Sequence, residues 1–238
     1  MKSIDIAVPV YYGNIGELET NISRQVEFFI KNLTDYEWKI IIAINGKNPE
    51  KIINLSKELG KKYKNVSYIY TEMPGKGAGV ITAWLNSNAD ILAYMDIDLA
   101  TGLGDFRNLI KGIEDGFDIC VGSRYLSGSK VRRSFSRRIA SFVYHRILIR
   151  FFLNVKMTDT QCGFKAITKV AARRILPLVE DRVWFFESEM MYFAEKMGFK
   201  IKEIPVVWEE TNLQSGIKLR KIVPEFIKKM ILLRFRNI

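Results

Sequence analysis

The sequence predicts an α/β fold in which helices pack on a mainly parallel sheet. Three observations predict it. Over the first 125 residues, short apolar runs alternate with stretches whose apolar residues recur at helical spacing. No internal repeat and no Gly-, Ser- or Pro-rich linker divides the 238 residues, so a single domain over 1–238 is expected. A content of 48% apolar and 26% charged residues is that of a chain able to bury a sizeable core.

The elements follow in order. Residues 4–10, with Pro9 near the end, form the first apolar strand, and 17–31 carry Leu18, Ile22, Val26, Phe29 and Ile30 at helical spacing. The run 38–44 reads as a buried strand, and Pro49 opens a helix to about residue 62, with Gly60 near its end. A strand at 66–70 is followed by the turn Pro74-Gly75-Lys76-Gly77 and a helix to about 88. The strand 91–95 runs straight into Asp96-Ile97-Asp98, and 118–121 is a fifth strand. The pattern then changes: a long helix is expected over 134–153, a strand over 164–168, and a helix over 170–176 that Pro177 stops. A helix over 187–197, a strand over 201–208 and a terminal helix over 217–236 complete the chain.

Charge is concentrated. Thirty-seven basic and 26 acidic residues give +11, yet residues 130–150 carry +7 and 217–238 carry +6, leaving −2 for the rest. In 134–153, Ile139, Ala140, Val143, Tyr144, Ile147, Leu148 and Phe151 cover about half the helix, with Arg146 and Arg150 flanking the arc. That pattern predicts a helix lying in a membrane interface, its cations reaching lipid phosphates. For 217–236, the stripe Leu219, Ile222, Val223, Phe226, Met230 and Leu233 fits core packing and membrane contact equally. A nucleic-acid binder is disfavoured, because the charge is tied to bulky aliphatic faces and no recognised DNA- or RNA-binding pattern occurs. No apolar run reaches the roughly 18–20 residues of a membrane-spanning helix. Cys120 and Cys162 form neither a disulfide framework nor a zinc cluster, and the start Met1-Lys2-Ser3-Ile4-Asp5 is no secretory leader, so a cytoplasmic setting is expected.

Asp96 and Asp98 follow a buried strand, where ligands of open sheets bind, and alternate residues of an extended segment face one way. The two carboxylates could therefore aim at one hard cation and through it at a diphosphate. Taken alone, such a pair reads first as a solvated turn. Gly75-Lys76-Gly77 before a helix offers N–H groups and a lysine to an anion, although it lacks the P-loop spacing. Gly122-Ser123-Arg124-Tyr125 offers an arginine fork. The loop 159–165, D-T-Q-C-G-F-K, packs acid, amide, thiol and glycine together. The sole histidine, His145, has no triad partners and is read as structural or interfacial.

These fragments, with Val8-Pro9-Val10-Tyr11-Tyr12, Phe185-Phe186-Glu187-Ser188-Glu189, Val207-Trp208-Glu209-Glu210 and Ser215-Gly216-Ile217-Lys218, occur in an order that resembles family 2 glycosyltransferases. The likeness spans nearly the whole chain and is strongest to enzymes making polyprenyl-phosphate sugars, the dolichyl-phosphate glucose and mannose synthases. It implies a nucleotide-sugar-binding glycosyltransferase A (Rossmann-like) fold with amphipathic interface helices. The implied reaction is inverting transfer of a hexose, from UDP-glucose before GDP-mannose, to a polyprenyl or dolichyl phosphate at the cytoplasmic face of a membrane. Asp96 and Asp98 would hold Mg²⁺ or Mn²⁺, and Pro9, Tyr11, Asn45 and Lys76 would line the nucleotide-sugar pocket. Ser123, Arg124, Arg137, Gln161, Glu187, Glu189 and Lys218 would stand at the sugar and acceptor end. Arg124 and Asp98 are the expected catalytic groups, joined by Asp159 as general base if the acceptor were a glycan hydroxyl. A lipid phosphate is already anionic and needs no base. Two positions depart from the family pattern. Ile44-Asn45-Gly46 replaces paired aspartates, and Phe186-Glu187-Ser188-Glu189 replaces F-D-x-E with a longer acid.

Overall fold

The computed structural model describes residues 1–132, 149–210 and 219–236. The chain begins with β1 (Lys2–Val10), α1 (Ile15–Asn32), β2 (Tyr36–Asn45), α2 (Glu50–Lys62), β3 (Val66–Thr71), α3 (Lys76–Leu85) and β4 (Ile91–Met95). It continues through α4 (Phe106–Glu114), β5 (Ile119–Ser123), β6 (Lys130–Arg132), α5 (Arg150–Leu153), β7 (Phe164–Thr168) and α6 (Lys169–Ile175). Helix α7 (Phe186–Lys196), β8 (Ile201–Pro205), β9 (Val207–Glu209) and α8 (Leu219–Arg234) follow.

Seven strands form one sheet in the order β3-β2-β1-β4-β7-β5-β8. Strand β1 pairs in parallel with β2 and β4, β5 pairs in parallel with β8, and β7 runs antiparallel between β4 and β5. The mainly parallel sheet is as expected, and β7 is its one reversed strand. Alternation along β1 shows why both faces are covered. Ile4, Ile6, Val8 and Val10 pack with Leu18, Ile22, Phe29 and Phe106 from α1 and α4, whereas Ala7 faces Val80 and Trp84 of α3, in one core with Met190 of α7 and Met230 of α8. The chain moves outward from β1 to β3 and then returns to the other side of β1 at β4, which makes the carboxyl ends of β1 and β4 a topological switch point.

Several elements differ from expectation for identifiable reasons. Helix α4 has no counterpart among the predicted elements, although Phe106, Leu109, Ile110 and Ile113 have helical spacing and are buried. The strand expected over 201–208 is two: Pro205 offers no N–H to continue the ladder, and β9 leaves the main sheet to pair with β6. Pro177 does not simply stop a helix but sits in a 3₁₀ turn, Leu176–Leu178, that extends α6. Of the helix expected over 134–153, residues 133–148 lie outside the described residues, as do Arg137, His145 and Lys218.

The terminal helix settles one open choice. Phe226, Met230 and Leu233 are buried, so this half of its stripe is core, with Phe226 edge-on to Phe185. Three of its region's cations also have protein partners: Lys229 pairs with Asp181 at 2.7 Å, Arg236 pairs with Glu180 and Glu189 at 2.9 Å each, and Arg234 donates to the Phe152 carbonyl at 2.8 Å. Phe151, Leu232 and Phe235 remain largely exposed.

Candidate active site

Beyond the carboxyl ends of β1, β2 and β4 the chain builds a charged cluster. Its frame is Asn45, whose Nδ2 donates to the Val10 carbonyl at 2.8 Å and whose Oδ1 accepts from the Gly75 N–H at 3.0 Å. Its amide, expected to line the nucleotide-sugar pocket, thus braces two strand ends and the turn before α3. Gly75 has φ +125°, and a Cβ there would lie 2.2 Å from the Arg182 carbonyl oxygen, so the turn requires glycine. The first N–H groups of α3 are not open to an anion as expected: Gly77 donates to the Val183 carbonyl at 3.2 Å and Ala78 to that of Arg182 at 2.8 Å. Lys76 alone turns into the site.

The Lys76 ammonium, almost buried, lies 2.8 Å from Asp96 Oδ1 and 2.9 Å from Glu187 Oε1. Glu187 also accepts from the Tyr94 hydroxyl and stands 3.6 Å from Lys165, a lysine with no exposed surface whose ammonium donates to the Cys162 carbonyl at 2.6 Å. Burial pushes the Glu187 carboxyl upward, but Lys165 and Lys76 outweigh it and hold it below its ordinary range. Desolvation pulls Lys76 down, while Asp96 and Glu187 more than restore it, so it stays charged. Burial, with Glu187 beside it, keeps Tyr94 a neutral phenol. Burial first, then Asp159, pushes the Cys162 thiol up to about 12, which leaves it without nucleophilic character.

Asp96 and Asp98 flank a tight turn in which Leu99 has φ +54° and Asp98 Oδ1 accepts from the Ala100 N–H at 3.0 Å. Asp96 is half-buried; desolvation raises its carboxyl, Lys76 opposes this, and Asp98 and Glu187 add to it. This surplus of negative charge on hard oxygen donors fits a divalent cation. Among the described residues no three acidic, His or Cys groups form a complete cage. Mg²⁺ bound through one or two carboxylates plus substrate phosphates needs none. The loop 159–165 touches this turn directly: the Asp96 N–H donates to the Gly163 carbonyl at 3.3 Å, and a Cβ on Gly163 would lie 1.9 Å from Asp96 Oδ2. Gly163→Ala is expected to displace that carboxylate and lower stability by about 1–3 kcal/mol, measured by urea unfolding.

A second cluster adjoins the first. Arg124 donates to Asp159 from Nε at 2.7 Å, from Nη2 at 2.8 Å and from its backbone N–H at 3.1 Å, and the guanidinium lies 5.6 Å from the Trp208 ring centre. Asp159 has no exposed surface, and its Oδ1 also accepts from the Gln161 N–H at 3.1 Å. Both oxygens of the residue expected as general base for a hydroxyl acceptor are thus engaged by a buried fork. Gln161 Nε2 donates to the Trp184 carbonyl and to Ser188 Oγ, each at 3.0 Å, and Ser123 Oγ pairs with Thr158 Oγ1 at 2.7 Å. Glu203 holds this loop from below through the Thr158 and Asp159 N–H groups.

Other expected residues fall elsewhere. Glu189 does not join Glu187, because residues two apart on a helix point to different sides. Its Oε2 accepts from the N–H groups of Glu180 and Asp181 at 3.0 and 2.8 Å, and its Oε1 meets Arg236, a brace for the turn before α7. Pro9 is buried in β1 opposite Ala43, and Tyr11 stands just beyond it, exposed. Lys165 and Tyr94 were not singled out in sequence. Each is a polar residue flanked by apolar ones inside a five-residue strand, and that was the available signal. A separate concavity of about 800 Å³ lies at the opposite, amino-terminal side of the sheet, lined by Asp5, Trp38, Lys39 and Ser87 among others, away from these carboxylates.

Comparison with known proteins agrees with this geometry. The profile of Glycosyl transferase family 2 matches residues 5–176. Glycosyltransferase AglD of Haloferax volcanii is 28% identical over 208 residues, 87% of this chain and 33% of that protein. Dolichyl-phosphate beta-glucosyltransferase ALG5A of Trichomonas vaginalis is 29% identical over 186 residues, 74% of this chain and 56% of its own length. The chain thus spans a third of one relative and just over half of the other. The dolichyl-phosphate beta-glucosyltransferase of Dictyostelium discoideum is 29% identical, covering 98% of this chain and 74% of that protein. Among solved structures, glucosyl-3-phosphoglycerate synthase from Mycobacterium tuberculosis, in complex with Mn²⁺, UDP and phosphoglyceric acid, superposes with a TM-score of 0.66 at 12% identity, covering 96% of this chain and 78% of that one. Such a likeness establishes the glycosyltransferase A fold.

Proposed function

The chain belongs to glycosyl transferase family 2, and from that membership we propose that it transfers a hexose, with inversion, from a nucleoside-diphosphate sugar to a polyprenyl or dolichyl phosphate at a membrane surface. UDP-glucose is the favoured donor and GDP-mannose the next. The observation that carries the reading is the Lys76–Asp96–Glu187 cluster beside Asp98 at the carboxyl end of β4. The names of the dolichyl-phosphate relatives and the UDP and metal ions in the structural neighbours support the acceptor and donor classes.

Each residue has a task in this reading. Asp96 and Asp98 would hold Mg²⁺ or Mn²⁺, and what that cation supplies is neutralisation of charge on the departing diphosphate. Lys76 offers a second positive charge to the same phosphates, and Glu187, fixed by Lys165 and Tyr94, holds Lys76 in place. Arg124, with Nε and Nη2 fixed by Asp159, presents the rest of its guanidinium toward an acceptor phosphate. With Asp159 so engaged, an acceptor that needs no base is favoured over a hydroxyl.

Attachment to a cytoplasmic membrane face rests on the exposed Phe151, Leu232 and Phe235 beside the exposed cations Arg150 and Lys228. No helix among the described residues is long and apolar enough to cross a membrane. Residues 1–238 are read as one domain to which 134–153 and 217–236 attach.

The test offers a panel of labelled nucleotide sugars to the full chain with anionic liposomes carrying a polyprenyl phosphate, with Mn²⁺ or with EDTA. The expected product is a lipid-phosphate glucose of inverted anomeric configuration, formed from UDP-glucose and lost in EDTA. Transfer only to a glycan hydroxyl, or undiminished transfer in EDTA, would replace this reading.

A further inference from the structure

Asp96 has the Lys76 ammonium at 2.8 Å, and Glu187 has Lys76 at 2.9 Å and Lys165 at 3.6 Å, while Asp98 and Glu187 both add negative charge around Asp96. Lys76 lies at hydrogen-bond distance from Asp96 Oδ1, an oxygen that a divalent cation would also use. A cation arriving alone would face that ammonium in a poorly solvated place, which is costly. A diphosphate arriving with the cation brings negative charge and offers the ammonium a new partner. Lys76 can make that exchange without being set adrift, because it keeps a second bond, to Glu187 at 2.9 Å, a carboxylate fixed in turn by Lys165 and Tyr94.

We propose that Lys76 is the resting counter-ion of Asp96, and that it yields this carboxylate to a divalent cation only when a donor diphosphate arrives to take the ammonium. Metal and donor binding are thereby coupled through one side chain that pivots on Glu187. The proposal rests on the donor reading given above. It implies that the metal-free, donor-free site is held closed by an internal ion pair and does not collect metal by itself.

The test measures Mn²⁺ binding to the full chain by electron paramagnetic resonance of the free ion, with Mn²⁺ alone and with UDP present. Removing the competing ammonium with Lys76→Met is expected to tighten binding of Mn²⁺ alone by about fivefold or more relative to wild type, and to weaken UDP binding measured by calorimetry without metal. Lys76→Arg, which keeps the charge, is expected to bind Mn²⁺ alone as wild type does. If Lys76→Met does not fold, Lys76→Gln carries the same prediction with a smaller gain. Mn²⁺ affinity that is unchanged or weaker in the neutral variants overturns the counter-ion role while leaving the donor reading intact, provided wild type still binds Mn²⁺ with UDP. A wild-type chain that binds neither Mn²⁺ nor UDP overturns both.

Discussion

Glu187→Ala is expected to lower the stability of the fold by about 3–5 kcal/mol, because it strips the shared partner from two lysines at once. Lys165 has no exposed surface and Lys76 very little, and neither can reach bulk water when the carboxylate is gone. Lys76 keeps Asp96, but Lys165 is left with the Cys162 carbonyl and the Tyr94 hydroxyl only. Urea unfolding at pH 7 reads the loss, and Glu187→Asp, which keeps the charge on a shorter stem, is expected to recover part of it. The pH dependence has a definite sign. Burial raises the Glu187 carboxyl, but the two lysines win and its folded-state value lies below the ordinary 4.5. The unfolded chain therefore takes up this proton first as pH falls. The contribution of Glu187 is full above about pH 4.5 and fades as pH drops through the folded-state value, so wild type and Glu187→Ala should converge in acid. Asp96, raised above 3.8 first by burial and in part by Glu187 itself, has the opposite sign.

Asp159→Ala is expected to cost a similar amount, about 3–5 kcal/mol, for a different geometric reason. Here one carboxylate satisfies three donors of a single residue, the guanidinium Nε and Nη2 and the backbone N–H of Arg124, and its own N–H is in turn held by Glu203. Truncation leaves a buried arginine without the carboxylate that offsets its desolvation, and a guanidinium does not shed its proton to escape. The double variant Arg124→Met with Asp159→Ala removes the stranded charge and should regain much of the loss, a coupling that a double-mutant cycle in urea measures directly. If both single variants cost the same as the pair, the two residues form one unit.

The sheet was legible because its strands are continuous apolar runs, and the switch point followed from Asp96 and Asp98 standing immediately after one of them. What sequence could not supply was which polar atoms use each other up. Asn45, Asp159 and Glu189 are polar residues near the right strand and helix ends, and in sequence each looks available to a ligand. In space each is consumed by neighbours up to 47 positions away. Lys165 shows the reverse: a charge inside an apolar strand must have a partner, but nothing local says that the partner is Glu187 on a distant helix. Helix α4 was not among the predicted elements, although the spacing of Phe106, Leu109, Ile110 and Ile113 was there to show it. The split of β8 from β9 was not, because it depends on β6 offering a second edge.

The clasp between α8 and the turn ahead of α7 bears on how surface attachment can be dissected. Lys229 and Arg236 grip Asp181, Glu180 and Glu189, and the same turn presents the Arg182 and Val183 carbonyls that anchor the first residues of α3, next to Lys76. Helix α8 is thus a lever whose short arm is the proposed donor pocket. Cutting the chain before Leu219 would slacken that pocket even in a test tube free of lipid. Reversing charge at Lys228 or replacing Leu232 and Phe235 by serine leaves the grip of Lys229 and Arg236 untouched, and is the surgery that separates adhesion from chemistry.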